Sequence, residues 1–137
     1  MANKLNKVDY FYTTVSNTPG QAAKILAGLA DAGVNLLAFS GFPDGRRSQL
    51  DFVPEDSAIF LRAAKAMQLK VSKKKVGFLY RGNDKVGALT KLLAKLAAAK
   101  INLIAIDAVT AGKGRFGAIF WVKPESVDSA AKLLGAN

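Results

Sequence analysis

At 137 residues, half of them apolar, the chain can bury one ordinary core or two compact ones, each near the lower size limit for independent folding. It contains no cysteine and no histidine, which excludes disulfides, thiolate nucleophiles and cysteine metal sites and removes the side chain that titrates nearest neutrality. The formal charge of +10 is evenly spread, since residues 1–75 hold eleven Lys and Arg against six acids and residues 76–137 hold nine against four.

Residues 8–15 are rich in aromatic and β-branched side chains (Tyr10, Phe11, Tyr12, Thr13, Thr14) and predict a strand. Ser16-Asn17-Thr18-Pro19-Gly20 ends it. Proline suits the start of a helix, and Asn17 or Thr18 is expected to cap the exposed amides. Ala22, Ile25, Leu26 and Leu29 then mark one apolar helical face, and Gly33 supplies a left-handed stop. Residues 34–40 predict a second strand. Phe42-Pro43-Asp44-Gly45 has tight-turn chemistry, so residues 47–53 are expected to return as a third strand of a hairpin. Pro54-Glu55-Asp56 opens a second helix with negative charge where the helix dipole favours it, and Phe60, Ala63, Ala64 and Met67 form its buried stripe. Residues 69–73 are expected to form a short fourth strand. The order strand, helix, strand, strand, helix, strand is ferredoxin-like, an antiparallel sheet with both helices on one face.

The same series then recurs. Gly87 lies 67 positions after Gly20, and Asn102 lies 67 after Asn35. At that shift the segment from Gln21 to Ala30 overlies Ala88 to Ala97, and Val34-Asn35-Leu36 overlies Ile101-Asn102-Leu103. Solenoid repeats run to about 20–50 residues, so the longer period implies a duplicated small domain. Its halves are expected at 1–73 and 74–137. In the second half, strands are predicted at 76–81, 101–110 and 116–122 and helices at 86–99 and 125–134. Almost nothing remains for a last strand. The edge beside 76–81 therefore needs a partner, which the connector, the N-terminal arm or a second subunit can supply. Several strands are apolar on both faces, Phe116, Ala118, Phe120 and Val122 alternating with Ile119 and Trp121. Helices cover one face only, so the other is expected to meet the sister half or a second copy, and a homodimer is expected.

The strand-to-helix turn, present as Asn17-Thr18-Pro19-Gly20 and again as Asn83-Asp84-Lys85-Val86-Gly87, is the strongest chemical constellation. A helix start offers unpaired N–H groups and the positive end of the dipole to a carboxylate, and glycine lets a ligand approach the backbone. The pattern of strand, Asn-x-Pro-Gly, leucine-rich helix and Gly-Val-Asn-Leu resembles the ACT domain, a small regulatory module of amino-acid metabolism. Asn17, Pro19, Gly20, Leu26, Leu29, Gly33, Val34, Asn35 and Leu36 carry the resemblance in the first half. Gly87, Leu93, Leu96, Ile101, Asn102 and Leu103 carry it in the second, where Val86 replaces the usual proline and Lys100 the usual glycine. It covers about residues 8–135.

The resemblance implies α+β architecture with two ferredoxin-like, ACT-like repeats, and binding in place of catalysis. Such domains pair side by side and hold amino acids at the junction between the turn before the first helix and a neighbouring strand. Carried onto this chain, the candidate contacts are Asn17, Thr18, Pro19, Gly20 and Asn35, with Asn83, Asp84, Val86, Gly87 and Asn102 in the second copy. A ligand carboxylate would take the helix-start amides, and Asp84 would receive its ammonium group. The expected partners are a small amino acid or related carboxylate, a second copy of the chain and a regulated enzyme; no cofactor and no metal site is expected.

Competing readings are weaker. Ala111-Gly-Lys-Gly-Arg-Phe-Gly117 joins two strands and lacks the Gly-Lys-Ser/Thr of a phosphate loop, so it reads as a hairpin. The cluster Lys70, Lys73, Lys74 and Lys75 has no interleaved aromatic, and suits an edge protector better than a nucleic-acid stripe. Tyr10, Tyr12, Phe78 and Tyr80 would stack bases if exposed, which keeps nucleic acid as the runner-up, and a ligand-free assembly scaffold is a third reading. No run reaches the ~18–20 apolar residues of a membrane helix and the N-terminus is charged early, so a cytoplasmic protein is expected.

Overall fold

The computed structural model describes residues 3–137. Its elements are β1 (Lys4–Ser16), α1 (Gln21–Asp31), β2 (Leu36–Asp44), β3 (Arg47–Pro54), α2 (Ser57–Ala66), β4 (Lys75–Asn83), α3 (Thr90–Ala98), β5 (Leu103–Thr110), β6 (Arg115–Val122) and α4 (Val127–Leu134). The β3 strand pairs antiparallel with β1 and β2, and β6 pairs antiparallel with β4 and β5. The fold is α+β. The chain divides into two compact units, Asp9–Lys75 and a second made of Val76–Asn137 with the N-terminal segment through Val8.

In the first unit the strands follow the order β2-β3-β1. Phe11 and Phe52 are register partners, and Phe60 of α2 stacks on Phe11 at 5.0 Å and tilts against Phe52 at 5.4 Å. Ile25 and Leu29 of α1 enter the same cluster, so both helices of the unit close over these rings. The helix ends obey local chemistry. Asp56 caps α2 by accepting the Ile59 amide at 3.1 Å. Gly33, at φ 78°, ends α1 with its amide on Ala30 while Val34 bonds Leu29, which satisfies carbonyls the helix leaves open.

Two expectations for this unit are corrected. The hairpin turn falls later than 42–45: Pro43 and Asp44 extend β2 opposite Ser48 and Arg47, leaving Gly45-Arg46 as the loop with Gly45 at φ 64°. Proline is tolerated there because β2 ends the row of strands and its missing N–H breaks no ladder. Residues 69–73 form no strand. Ser72 donates its amide to the Tyr12 carbonyl at 2.8 Å, but the Tyr12 amide turns to the Ser72 hydroxyl at 3.0 Å, and Thr13 Oγ1 donates to the Lys70 carbonyl at 2.7 Å. Side-chain hydroxyls have taken the bonds a ladder would use.

The second unit has the order β1-β4-β6-β5. The N-terminal arm thus supplies the strand that the sequence left open beside β4. Leu5 packs against the cluster of Phe78, Leu92, Leu96, Phe120 and Ala130, and the Lys7 amide donates to the Asn137 carbonyl at 2.9 Å. A Cβ on Gly82 would lie 2.7 Å from Asn3 Oδ1 and 2.9 Å from the Phe116 ring. A larger residue there would force Asn3 or the Phe116 ring to move. Two helices start later than expected: residues 86–89 form a turn ahead of α3, and Pro124–Ser126 form a 3-10 turn ahead of α4.

Val53, Leu79, Ile119 and Trp121 alternate with the clustered Phe52, Phe78 and Phe120, and they are buried within the single chain. The large apolar side chains left exposed on strands lie on β2 (Leu37, Phe39, Phe42) and β5 (Ile104, Val109).

Candidate functional site: paired clefts at the strand-to-helix turns

In the first unit Gly20 stands at the start of α1 with φ 91°, a left-handed conformation open to glycine at little cost. No side chain caps the helix. Asn17, one of the two expected caps, instead accepts the Ser48 hydroxyl at 2.9 Å, and Thr18 Oγ1 lies 3.2 Å from Ser16 Oγ. The Gln21 amide reaches the Thr18 carbonyl at 3.4 Å, and Lys24 makes the first helical bond to Gly20. Among the described residues, the Ala22 and Ala23 amides have no partner. Both alanines line a cleft of about 330 Å³ closed by Asn17, Thr18, Gly20 and Gln21 on one side and by Gly41, Phe42, Pro43 and Ser48 of the hairpin on the other. Its lining carries no charged side chain.

The second unit has a cleft of about 390 Å³ at the corresponding turn. Adding 67 to Asn17, Gly20, Gln21, Ala22 and Ala23 gives Asp84, Gly87, Ala88, Leu89 and Thr90, and adding 67 to Gly41, Phe42 and Pro43 gives Ala108, Val109 and Thr110; all of these line it. Its chemistry differs. Leu89, Leu93, Val109 and Phe116 make the walls apolar, and Asp84 contributes one carboxylate. Gly87, at φ 71°, cannot join a right-handed helix, so the chain turns from Val86 to Leu89 before α3 begins. That turn uses the Ala88 and Thr90 amides on the carbonyls of Lys85 and Gly87.

The structure gathers Asn17, Thr18 and Gly20 at the first cleft and Asp84 and Gly87 at the second. The other sequence candidates lie elsewhere. Asn35 follows the far end of α1, an 11-residue helix about 16 Å long, where its amide donates to Glu55 Oε2 at 2.9 Å. Asn102 accepts the Leu103 amide at 3.1 Å. Asn35 thus ties the end of α1 to the residue ahead of α2, and Asn102, among the described residues, bonds only its own neighbour. Asn83 accepts Arg115 Nη1 at 2.8 Å, Val86 is fully exposed, and Pro19 does not line the cleft. Sequence reasoning missed the hairpin residues Phe42, Pro43, Ser48, Val109, Thr110 and Phe116. The 67-residue shift relates Phe42-Pro43 to Val109-Thr110, but only the strand register brings them to the turns.

The aromatic platform of the nucleic-acid reading is not assembled. Phe78 is fully buried against Phe120, Tyr80 packs edge-on to Phe116 at 5.6 Å within the core cluster, and Lys75 Nζ lies 5.3 Å from the centre of the Tyr12 ring. Burial pushes the Tyr10 hydroxyl above the ordinary tyrosine range, with the nearby charges of Asp51 and Tyr12 acting in the same direction. Folded Tyr10 therefore holds its proton at pH values where the unfolded chain releases it, above about 10. The unfolded state then binds fewer protons, so stability falls as pH rises beyond that point. Tyr10→Phe is expected to flatten this alkaline decline; parallel slopes for both proteins in urea melts between pH 9 and 11 would contradict it.

No family model and no curated protein matches the sequence. Solved structures do match the fold over nearly the whole chain. The chain is similar to protein BT0572 from Bacteroides thetaiotaomicron, with a TM-score of 0.82 and 17% identity over 96% of this chain and 88% of that one. It is similar to the regulatory subunit of aspartate kinase from Thermus thermophilus (TM-score 0.66, 16% identity, 98% of this chain and 96% of that one). Structures of aspartokinase alpha and beta subunits give a TM-score of 0.62 at 18% identity, covering 98% of this chain and 95% of the other. The chain thus has the ACT-type fold of aspartate-kinase regulatory subunits, as the resemblance in its turns and helices implied.

Proposed function

We propose that this protein is a non-catalytic regulator built of two ACT-like repeats, which binds a small amino acid or related carboxylate at the strand-to-helix clefts and acts through its association with a second copy and with an enzyme. The observation that carries the reading is the recurrence of one cleft at the same place in both units, related residue by residue through the 67-position shift. In the first cleft, the Ala22 and Ala23 amides suit a carboxylate, with the dipole of α1 favouring negative charge there. In the second, Asp84 suits an ammonium group and the apolar walls suit an aliphatic side chain. Both volumes lie in the range of small-molecule sites, about 300–1,000 Å³. The similarity to regulatory subunits of an enzyme supports a regulatory role, and the exposed apolar side chains of β2 and β5 support self-association.

A ligand that binds only the folded state stabilises it by about 2.7 kcal/mol at a hundred times its Kd. Thermal melts against the twenty amino acids should therefore show a saturable rise for at least one of them. Asp84→Asn should weaken the response at the second cleft about three- to tenfold, the scale of one charge-assisted hydrogen bond in an exposed setting. A flat response across all twenty would remove the amino-acid reading.

A further inference from the structure

The far ends of α1 and α3 are built alike and charged differently. At both, the chain leaves the helix through the same pair of bonds: Gly33 to Ala30 and Val34 to Leu29 in the first unit, Lys100 to Ala97 and Ile101 to Leu96 in the second. This closure places one residue in the left-handed region, where glycine is the usual occupant because any Cβ crowds the backbone. The first unit has Gly33, at φ 78°; the second has Lys100, at φ 60°. A lysine is held there at some cost, as Gln68, at φ 57°, is held in the same closure after α2; Lys100 differs in bordering a cleft, which gives its side chain a task. Complementing the helix dipole is not a sufficient task, since Lys95 already lies in the last turn of α3.

Lys100 stands at a cleft of about 510 Å³, which it lines with Ile101, Ser126, Ser129 and Lys132. Two ammonium groups and two hydroxyls thus border one cavity. The acids of the neighbouring element, Glu125 and Asp128, do not line it. In the first unit the glutamate that follows the proline ahead of α2, Glu55, is held by the Asn35 side chain; its counterpart Glu125, after Pro124, stays outside the cleft.

We propose that this cleft binds a small phosphate-bearing anion, with Lys100 and Lys132 supplying charge and the two serines supplying hydrogen bonds. Its size admits a free ion or a small phosphomonoester. The full-length chain is titrated with inorganic phosphate and with glycerol phosphate, ionic strength being held constant with chloride, and followed by thermal melting and calorimetry. Lys100→Gly should raise the melting temperature without ligand, because glycine relieves the left-handed strain, and should weaken phosphate binding about tenfold, the scale of one charge-assisted contact. Lys132→Gln should weaken binding similarly with no gain in melting temperature, and Lys24→Gln, on α1, should change neither. Tighter binding of glycerol phosphate than of inorganic phosphate would identify an ester as the occupant, and equal binding the free ion. The proposal is overturned if both cleft variants bind phosphate like the parent, if chloride alone gives the same shift, or if only a long polyanion such as RNA responds. A lower melting temperature for Lys100→Gly would overturn the strain argument.

Discussion

Replacing Phe60 by alanine should cost the protein about 3–5 kcal/mol of stability, as truncation of a fully buried phenylalanine usually does. The ring is inaccessible to solvent and contacts Phe11 and Phe52, which face each other across β1 and β3. Removing it deprives one helix and two strands of a shared partner at once. Small domains hold only about 5–15 kcal/mol in total, so the variant should melt at markedly lower urea. Arg62→Ala, two residues further along the exposed side of α2, should stay within about 0.5 kcal/mol of the parent. Equal losses for the two would show that the three-ring cluster is not the centre of the first unit.

Deleting the N-terminal residues through Lys7 should damage the second unit more than the first, although the deleted residues precede the first unit in sequence. The arm fills the place beside β4, Leu5 enters the core of the second unit, and Lys7 bonds the Asn137 carbonyl. Without it, β4 presents unpaired backbone groups along one edge, an arrangement prone to aggregation. Hydrogen exchange should report faster exchange in peptides from β4 and the C-terminal residues after α4, while β2, β3 and α2 keep most of their protection. Gly82→Val offers a milder version, because its side chain would meet Asn3 and Phe116 at less than contact distance. Uniform loss of protection across both units would contradict the assignment of the arm.

These two variants also separate what was legible in the sequence from what was not. The helical stripes of α1 and α3, the acidic start of α2, the two hairpins and the doubled strand-to-helix turn all follow from local rules: apolar periodicity, the helix dipole and glycine at positive φ. The ACT resemblance rests on those same short patterns, and the fold agrees with it. For the candidate site, the sequence located the turn residues Asn17, Thr18, Gly20, Asp84 and Gly87, since a turn is set by neighbours in the chain.

Long-range pairing decided the rest. The partner of β4 is an arm more than seventy positions earlier, and nothing in residues 4–8 specifies which edge they join. Hairpin residues such as Phe42 and Val109 reach the clefts only because register carries the ends of β2 and β5 back to the helix starts. Asn35 and Asn102 recur with the repeat, yet a helix length separates them from the turns. Sequence spacing records such recurrence without recording distance. Local conformational preference is written residue by residue, whereas the pairing of strand edges is settled by which apolar surfaces can be buried together, and that is a property of the folded chain.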